Sequence, residues 1–573
     1  MRIALLTEGG YPYARGEGGA WCDRLVRGLA HHEFDVYALS RSPRTEEGGR
    51  VEPPPQVRRF RAERLWGEPP AATFPPTCGG GRAARRARRA AFLWHFDDLA
   101  AALAGGGRLG PADRADRFAS GLYGLAEVAA EHGGLPELLR GEDALAMLEA
   151  ACRAPGVRPL LGDIVVTELL TVADLLERQL RPLSAPWYGP DELGAADLCH
   201  AVSGGPATLP GLLAKRFCGT PLIVTEYTVR VREALLAHRA AGLSGAVRAL
   251  LGDYHRLLAG ESYRQAALVT PGSTHVRRWQ ERCGARKERM RTVYPGIDAA
   301  RFARAGEAAE AEATDPAAHA DPTVAWVGRA DPAKDLIALL HAFHAIRQDE
   351  PQARLRIFHL RTPDARAAAY LGHCRTLAAQ LFPDEAASAD AVGESPVSFE
   401  EIGSPGAPEL SDAYAAGDVV VLSSSAEGFP LSLVEAMFCG RPTVSTDVGA
   451  VREVIGGTGL VVPPRNPKAL ADAVGDLLRG PERASRLGAA ARERALALFT
   501  VGACVDAFCE SYLDVVAHHP VRREPLLDAA GDPRPFTAPP ESHVPTRLAP
   551  TPAHPTWSPT PRPAAASTGG APR

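Results

Sequence analysis

Two carboxylates, Glu427 and Glu435, stand eight residues apart in the stretch SAEGFPLSLVEAMFCGRP. Glu427 precedes a Gly-Phe-Pro turn, and Glu435 falls within an apolar run, between Leu433, Val434, Ala436 and Met437. A carboxylate among apolar side chains is costly to bury unless something pairs with it. The preceding run Val419–Leu422 reads as a buried strand. Residues 423–428 therefore form the loop at its carboxyl end, where open parallel sheets bind ligands. Pro430 suits the first turn of a helix, because its missing N–H needs no partner there. That helix start offers the backbone N–H groups of Phe429, Leu431 and Ser432 to an anion. Glu427 then lies outside the helix and Glu435 about one turn inside it. A ligand with hydroxyls at both ends and phosphate between them, such as a nucleotide sugar, fits two acceptors flanking an anion site. The same residues admit a structural reading, in which Glu427 caps the helix and Glu435 pairs with Arg441.

A second stretch, VGRADPAKDL at 327–336, places Arg329 and Lys334 just past the strand Thr323–Val327. Guanidinium offers bidentate hydrogen bonds and lysine a point charge, so the two can neutralise a diphosphate. The alternative is a solvated basic loop paired with Asp331 and Asp335. A third stretch, EGGYPYARGEGGAW, carries Gly18 and Gly19 in a G-x-G-G run that lets backbone approach a phosphate. Trp21 stands where G-x-G-x-x-G needs its third glycine, so the motif is a poor dinucleotide fingerprint. A Rossmann-type oxidoreductase is the reading it would otherwise favour. The basic run Arg82–Arg89 reads as a solvated helix face, with contact to an anionic membrane surface as the alternative.

The elements that must hold these residues alternate along the chain. Strand Arg2–Thr7, a glycine loop, helix Ala20–His31 and strand Phe34–Leu39 make one βαβ unit. Residues 41–80 read as irregular, and 82–182 as a helical insertion. Strands then recur at Asp197–Val202, Pro221–Thr225, Ala267–Thr270 and Met290–Tyr294. Ala303–Asp321 has the composition of a linker. A second series of strands spans Thr323–Val327, Arg354–His359, Val397–Ile402, Val419–Leu422, Thr443–Ser445 and Gly459–Val462. Such alternation predicts parallel sheets covered on both faces. The expected organisation is a first Rossmann-like domain at 1–302, a linker at 303–321 and a second at 322–500. A helix at 501–519 and a Pro-rich tail at 520–573, too polar to bury a core, complete it.

Bulk properties agree with an ordinary globular enzyme of 573 residues, 45% hydrophobic and 23% charged. A net charge of −4 gives no global case for nucleic acid. The ten cysteines include no C-x-x-C pair, which fits reduced thiols and a cytoplasmic setting. The start MRIALLTEGG lacks the features of a secretory signal. No apolar run approaches the roughly 18–20 residues of a membrane span. Neither D-x-D nor H-E-x-x-H occurs, so no metal site is expected.

The set AEGFPLSLVEAMFCGRPTV, GRADPAKD, VYPGID, TDVGAVREVI and GLVVPP resembles the GT-B glycosyltransferases of family four over about residues 265–500. EGGYPYARGEGGAW and DLCHAVSGGPATLPGLLAKRFCGTPLIVTE, with the helical insertion, resemble the PelF-like branch of polysaccharide synthesis. The resemblance implies two Rossmann-like domains with a cleft between them. It implies a retaining, metal-independent transferase that needs no cofactor. A nucleotide-diphosphate sugar, a UDP-sugar, would be the donor and a glycan or glycoconjugate the acceptor.

By that likeness Arg329 and Lys334 hold the diphosphate, Glu427 contacts the donor sugar, and Glu435 binds ribose hydroxyls. Gly428, Phe429, Pro430, Leu431 and Ser432 meet the distal phosphate. Ile402 and its loop flank the base, and Gly18 and Gly19 approach from the other domain. Partners implied are the donor, the acceptor, and a peripheral membrane or synthesis-complex contact, without nucleic acid. One position departs from the branch pattern T-E-H-G: Thr225-Glu226 is followed by Tyr227. A phenol with an ordinary pKa of about 10 is a poor substitute for imidazole. Tyr227 and His200 are the acceptor-side candidates, although a strand-end histidine can equally be structural. A catalytically silent, donor-binding scaffold is the competing function.

Overall fold

The structure is a computed structural model that describes residues 1–13, 17–40, 51–66, 81–105, 110–312, 322–361, 364–383 and 395–521. Twelve strands form two parallel six-stranded sheets among these residues. The first contains β1 (Arg2–Glu8), β2 (Glu33–Ser40), β3 (Val57–Arg64), β4 (Leu198–Ala201), β5 (Leu222–Glu226) and β6 (Leu268–Pro271). Its order is β3-β2-β1-β4-β5-β6. The second contains β7 (Thr323–Gly328), β8 (Arg354–His359), β9 (Val397–Glu401), β10 (Val419–Leu422), β11 (Thr443–Thr446) and β12 (Leu460–Val462). Its order is β12-β11-β10-β7-β8-β9.

In the second sheet the chain runs outward from β7 to β8 and β9, then returns to lay β10 on the other side of β7. The loops after β7 and β10 therefore diverge from neighbouring strands and open a crevice between them. β10 is buried along its whole length, as a strand covered on both faces must be. Period-two alternation divides its side chains between two cores. Val419 and Val421 pack with Trp326, Leu355 and Ile357, while Val420 and Leu422 pack with Val327, Phe358 and Met437.

One core joins the first sheet to the helical insertion. Leu6, Leu39 and Val224 share a cluster with Phe92, Phe96, Phe118 and Tyr254. The insertion is therefore built onto the sheet rather than standing as a separate body. Its helices Arg82–Ala104 and Pro111–His132 approach closely at Gly121, where an added Cβ would lie 2.7 Å from the Leu99 nitrogen. The opposite face of the first sheet is covered by the last helix, Val501–His518, through Cys504, Phe508 and Tyr512.

Several local expectations shift. The first helix is Glu17–Gly28 rather than 20–31, so Gly18 and Gly19 belong to its first turn. β3 lies in the stretch read as irregular. Its arginines masked an edge strand whose Arg58, Arg59 and Arg61 pair with Glu33 and Glu192. Residues 290–294 form no strand, only a bridge from Met290 to Val269. Ala303–Glu312 is helical where a linker was expected. Residues 313–321, Gly16 of the glycine run and the Pro-rich tail from 522 lie outside the described residues. Among the described residues no helix is long and apolar enough to cross a membrane.

Candidate active site

The loop after β7 is shaped by its own carboxylates. Asp331 Oδ1 accepts from the Ala333 N–H at 2.8 Å and starts a 3₁₀ turn, Pro332–Lys334. Asp335 has a left-handed φ of 49° and accepts from the Ala338 N–H at 3.3 Å, capping the helix Leu336–Asp349. Asp and Asn tolerate that backbone region better than most residues. Both aspartates thus accept from backbone groups, and among the described residues Lys334, which stands between them, pairs with Glu427 instead.

The loop after β10 is stitched onto this one by a serine run. Ser423 Oγ donates to the Lys334 carbonyl at 2.7 Å, and the Ser425 N–H donates to the Ala333 carbonyl at 2.8 Å. The consequence is a direct ion pair between Lys334 Nζ and Glu427 Oε1. Ser424 Oγ donates to the same oxygen at 2.7 Å. Arg329, on the same loop, is exposed and has no ion-pair partner among the described residues.

Beyond Glu427 the chain turns into the helix Leu431–Phe438, whose N-cap is Pro430 rather than a first-turn residue. The Leu431 N–H is turned inward onto the Phe429 carbonyl at 3.0 Å, so it is not offered to an anion. The Phe429 and Ser432 N–H groups have no backbone acceptor among the described residues. Glu435, in the middle of this helix, accepts from the buried Tyr414 hydroxyl at 2.6 Å. Burial, reinforced by that carboxylate, pushes the Tyr414 phenol well above its ordinary value and keeps it a donor. Ile402 follows β9 at the same sheet edge, with its N–H on the His359 carbonyl at 3.1 Å.

The turn is held from behind by Gly449, with a φ of 58°. A Cβ there would lie 2.5 Å from the Gly428 carbonyl oxygen. From the front it faces the first domain: a Cβ on Gly428 would stand 3.9 Å from Thr228 Cγ2 and from the Tyr227 carbonyl oxygen. The loop after β5 therefore lies opposite the Glu427–Gly428 turn.

The two acceptor-side candidates do not present their polar ends there. The Tyr227 ring packs edge-on against Trp21 at 5.0 Å, with its hydroxyl 4.0 Å from Cys504 Sγ. Burial pushes that phenol well above its ordinary range. His200 is fully buried, with Nδ1 2.7 Å from the Tyr512 hydroxyl and Nε2 2.6 Å from Thr225 Oγ1. Burial holds its imidazole down at about 3, so it stays neutral. Both are parts of the core beneath the cleft. Gly18 is exposed, with open space where a Cβ would sit, and Gly19 is buried. Among the described residues no group of three or more His, Cys, Asp or Glu is arranged to hold a metal ion.

Ser424, Tyr414 and Glu226 join the site only through the fold. Ser424 belongs to the run SSS just before the glutamate, a visible signal of a polar strand end. Tyr414 carries no local signal, whereas Glu226 stands in the Thr225-Glu226 pair of the T-E-H-G pattern. Glu226 is buried and receives hydrogen bonds from Tyr263 and from Gln280 at 2.8 Å, pinning the loop after β5.

Residues 1–288 match the family described as a domain of unknown function (DUF3492), and residues 321–480 match glycosyl transferases group 1. A D-inositol 3-phosphate glycosyltransferase of Kineococcus radiotolerans is 32% identical over 254 residues, 42% of this chain and 55% of that protein. A D-inositol 3-phosphate glycosyltransferase 2 of Catenulispora acidiphila is 30% identical over 343 residues, 57% of this chain and 73% of that protein. The chain thus spans little more than half of the Kineococcus relative's length. Sucrose-phosphate synthase of Thermosynechococcus elongatus shares the fold, with a TM-score of 0.52 at 19% identity over 90% of this chain and 99% of that one. With two parallel six-stranded sheets, the chain belongs to the group 1 glycosyl transferases, family four of the GT-B fold.

Proposed function

We propose that this protein is a retaining, metal-independent glycosyltransferase that moves a sugar from a nucleotide-diphosphate donor, a UDP-sugar, to a glycan or glycoconjugate acceptor. The observation that carries the reading is the meeting of Lys334 and Glu427 at the crevice between β7 and β10. A donor diphosphate seated there finds Lys334, the exposed Arg329 guanidinium and the N–H groups of Phe429 and Ser432. As the glycosidic C–O bond breaks, negative charge grows on the diphosphate oxygen, and these fixed donors stabilise it most at that moment. They supply the positive field that a metal would otherwise provide. Glu427 contacts the sugar, and Glu435 receives ribose hydroxyls. The names of the relatives support sugar transfer. The amino-terminal motifs support the PelF-like branch and a cytoplasmic role in exopolysaccharide synthesis.

A thermal-shift panel of nucleotide sugars tests the donor class. A ligand at 100 times its dissociation constant adds about 2.7 kcal/mol of stability, so a UDP-sugar is expected to raise Tm while nicotinamide dinucleotides do not. No shift with any nucleotide sugar would refute the reading.

The inward-facing Tyr227 hydroxyl favours a second reading, a donor-binding scaffold of a polysaccharide-synthesis complex without turnover. Donor binding with neither transfer nor hydrolysis across a broad acceptor panel would support it. A glycosylated product would eliminate it.

A further inference from the structure

Glu453 belongs to the short helix Val451–Ile455 of the second domain, but its carboxylate binds groups of the first domain. Oε2 accepts from the backbone N–H of Thr274 at 2.7 Å and also from the Thr274 hydroxyl. Oε1 accepts from the Tyr294 hydroxyl at 2.9 Å. Thr274 opens the helix Thr274–Arg282 that follows β6 of the first sheet. A carboxylate placed there meets both a free N–H and the positive end of the helix. Tyr294 lies on the segment leaving the first domain, with its ring 6.1 Å from Phe429 and 5.1 Å from Phe499.

The same helix is tied to the donor turn. The Ala450 N–H donates to the Gly428 carbonyl at 3.0 Å, and Gly449 packs against the Glu427 and Gly428 carbonyls. Arg494 donates to the Glu453 and Val454 carbonyls at 2.8 and 2.9 Å, holding the carboxyl end of the helix. Residues 449–450 and the Glu427–Gly428 turn are therefore joined directly through the backbone. A grip on Glu453 from the first domain is a grip on the turn.

We propose that Glu453 is a positioning residue that holds the two domains in the apposition that sets Thr228 against Gly428. Through Thr274 and Tyr294 it keeps the loop after β5 in register with the Lys334–Glu427 pair. Its effect on turnover rests on the transferase reading above, whereas its effect on domain apposition does not. Charge-assisted hydrogen bonds are about twice as strong as neutral ones, so an amide in this place holds the domains less firmly, and a methyl group does not hold them at all.

A cross-link reads the apposition directly, because a Cβ on Gly428 lies 3.9 Å from Thr228 Cγ2. The pair Thr228→Cys and Gly428→Cys is oxidised in the full chain, and the joined peptide is quantified by mass spectrometry. The cross-link is expected to form readily with Glu453 in place. Glu453→Ala is expected to slow it at least tenfold, and Glu453→Gln to fall between. In chains without the cysteine pair, Glu453→Ala should leave UDP affinity within about twofold and lower kcat at unchanged donor KM. That split separates positioning from a folding defect, which would lower UDP affinity as well. A cross-linking rate indifferent to Glu453→Ala, or no cross-link in any background, overturns the proposal. Failure of the parent chain to bind UDP would count against the transferase reading alone.

Discussion

Lys334 Nζ and Glu427 Oε1 form an ion pair that joins the carboxyl ends of two neighbouring strands, β7 and β10. The residues are far apart in sequence but share one point because Ser423 and Ser425 bind one loop to the other, while Ser424 holds Glu427 within its own loop. A basic group held against an acid is pre-organised, and incoming phosphate oxygens can take over as its partner.

Removing that cation should therefore damage chemistry more than folding. Lys334→Ala is expected to lower turnover of a nucleotide-sugar substrate by about 10²–10³-fold, the usual cost of deleting one pre-organised charge donor. The pair is partly exposed, with side chains 24% and 11% accessible, so its contribution to stability is small. Initial rates alongside Tm check this. Near-normal rates in Lys334→Ala would remove the assigned role.

Glu435 and Tyr414 separate nucleotide binding from turnover. Glu435→Gln is expected to weaken UDP binding about tenfold, or ~1.4 kcal/mol, by replacing a charged acceptor of ribose hydroxyls with a neutral one. Tyr414→Phe removes one 2.6 Å hydrogen bond to that carboxylate and should change affinity by less than about threefold. Titration calorimetry with UDP distinguishes the two. Equal losses would mean that Glu435 serves the core.

Stability should fall as the solution is acidified through the histidine range. Burial holds His200 at about 3, and burial with nearby Arg230 and His238 holds His255 at about 3. Below an unfolded-state value of about 6.5 the unfolded chain takes up protons that the folded chain refuses. Stability from these two groups is complete above that value and drains away as pH falls towards 3. At pH 5 the loss is about 2 kcal/mol for each histidine. Urea unfolding at pH 7, 6 and 5 measures the slope, and His255→Gln should make it shallower by one proton. A slope unchanged in that variant would contradict the assignment.

Gly121 sets the contact between the first two insertion helices. Alanine is normally the better helix former by about 1 kcal/mol, but here its methyl would lie 2.7 Å from the Leu99 nitrogen and 2.8 Å from the His95 carbonyl oxygen. Backbone cannot yield as a flexible side chain does, so Gly121→Ala is expected to destabilise by about 1–3 kcal/mol. A rise in the urea midpoint would show that the helices can separate without cost.

Much of the architecture was legible because it rests on local pattern. Apolar runs such as Val419–Leu422 bounded by loops identify buried strands, and their alternation with amphipathic helices identifies parallel sheets. β3 escaped because Arg58, Arg59 and Arg61 break the apolar alternation of an edge strand. Residues 290–294 imitate a strand, since extended backbone with a single bridge has the same composition as a full ladder.

The sequence by itself determined the α/β class, the Gly-Phe-Pro turn and the chemical types gathered near it, because each depends on neighbours a few residues apart. Only the tertiary structure decided which residues meet. Placing β10 beside β7 joins Glu427 to Lys334, and the crossing of the domains brings Glu453 to Thr274 and Tyr294. Packing also turned the Tyr227 hydroxyl and His200 away from the cleft into the aromatic core. Strand order and side-chain direction come from burial summed over distant segments, and no local period in the chain records that sum.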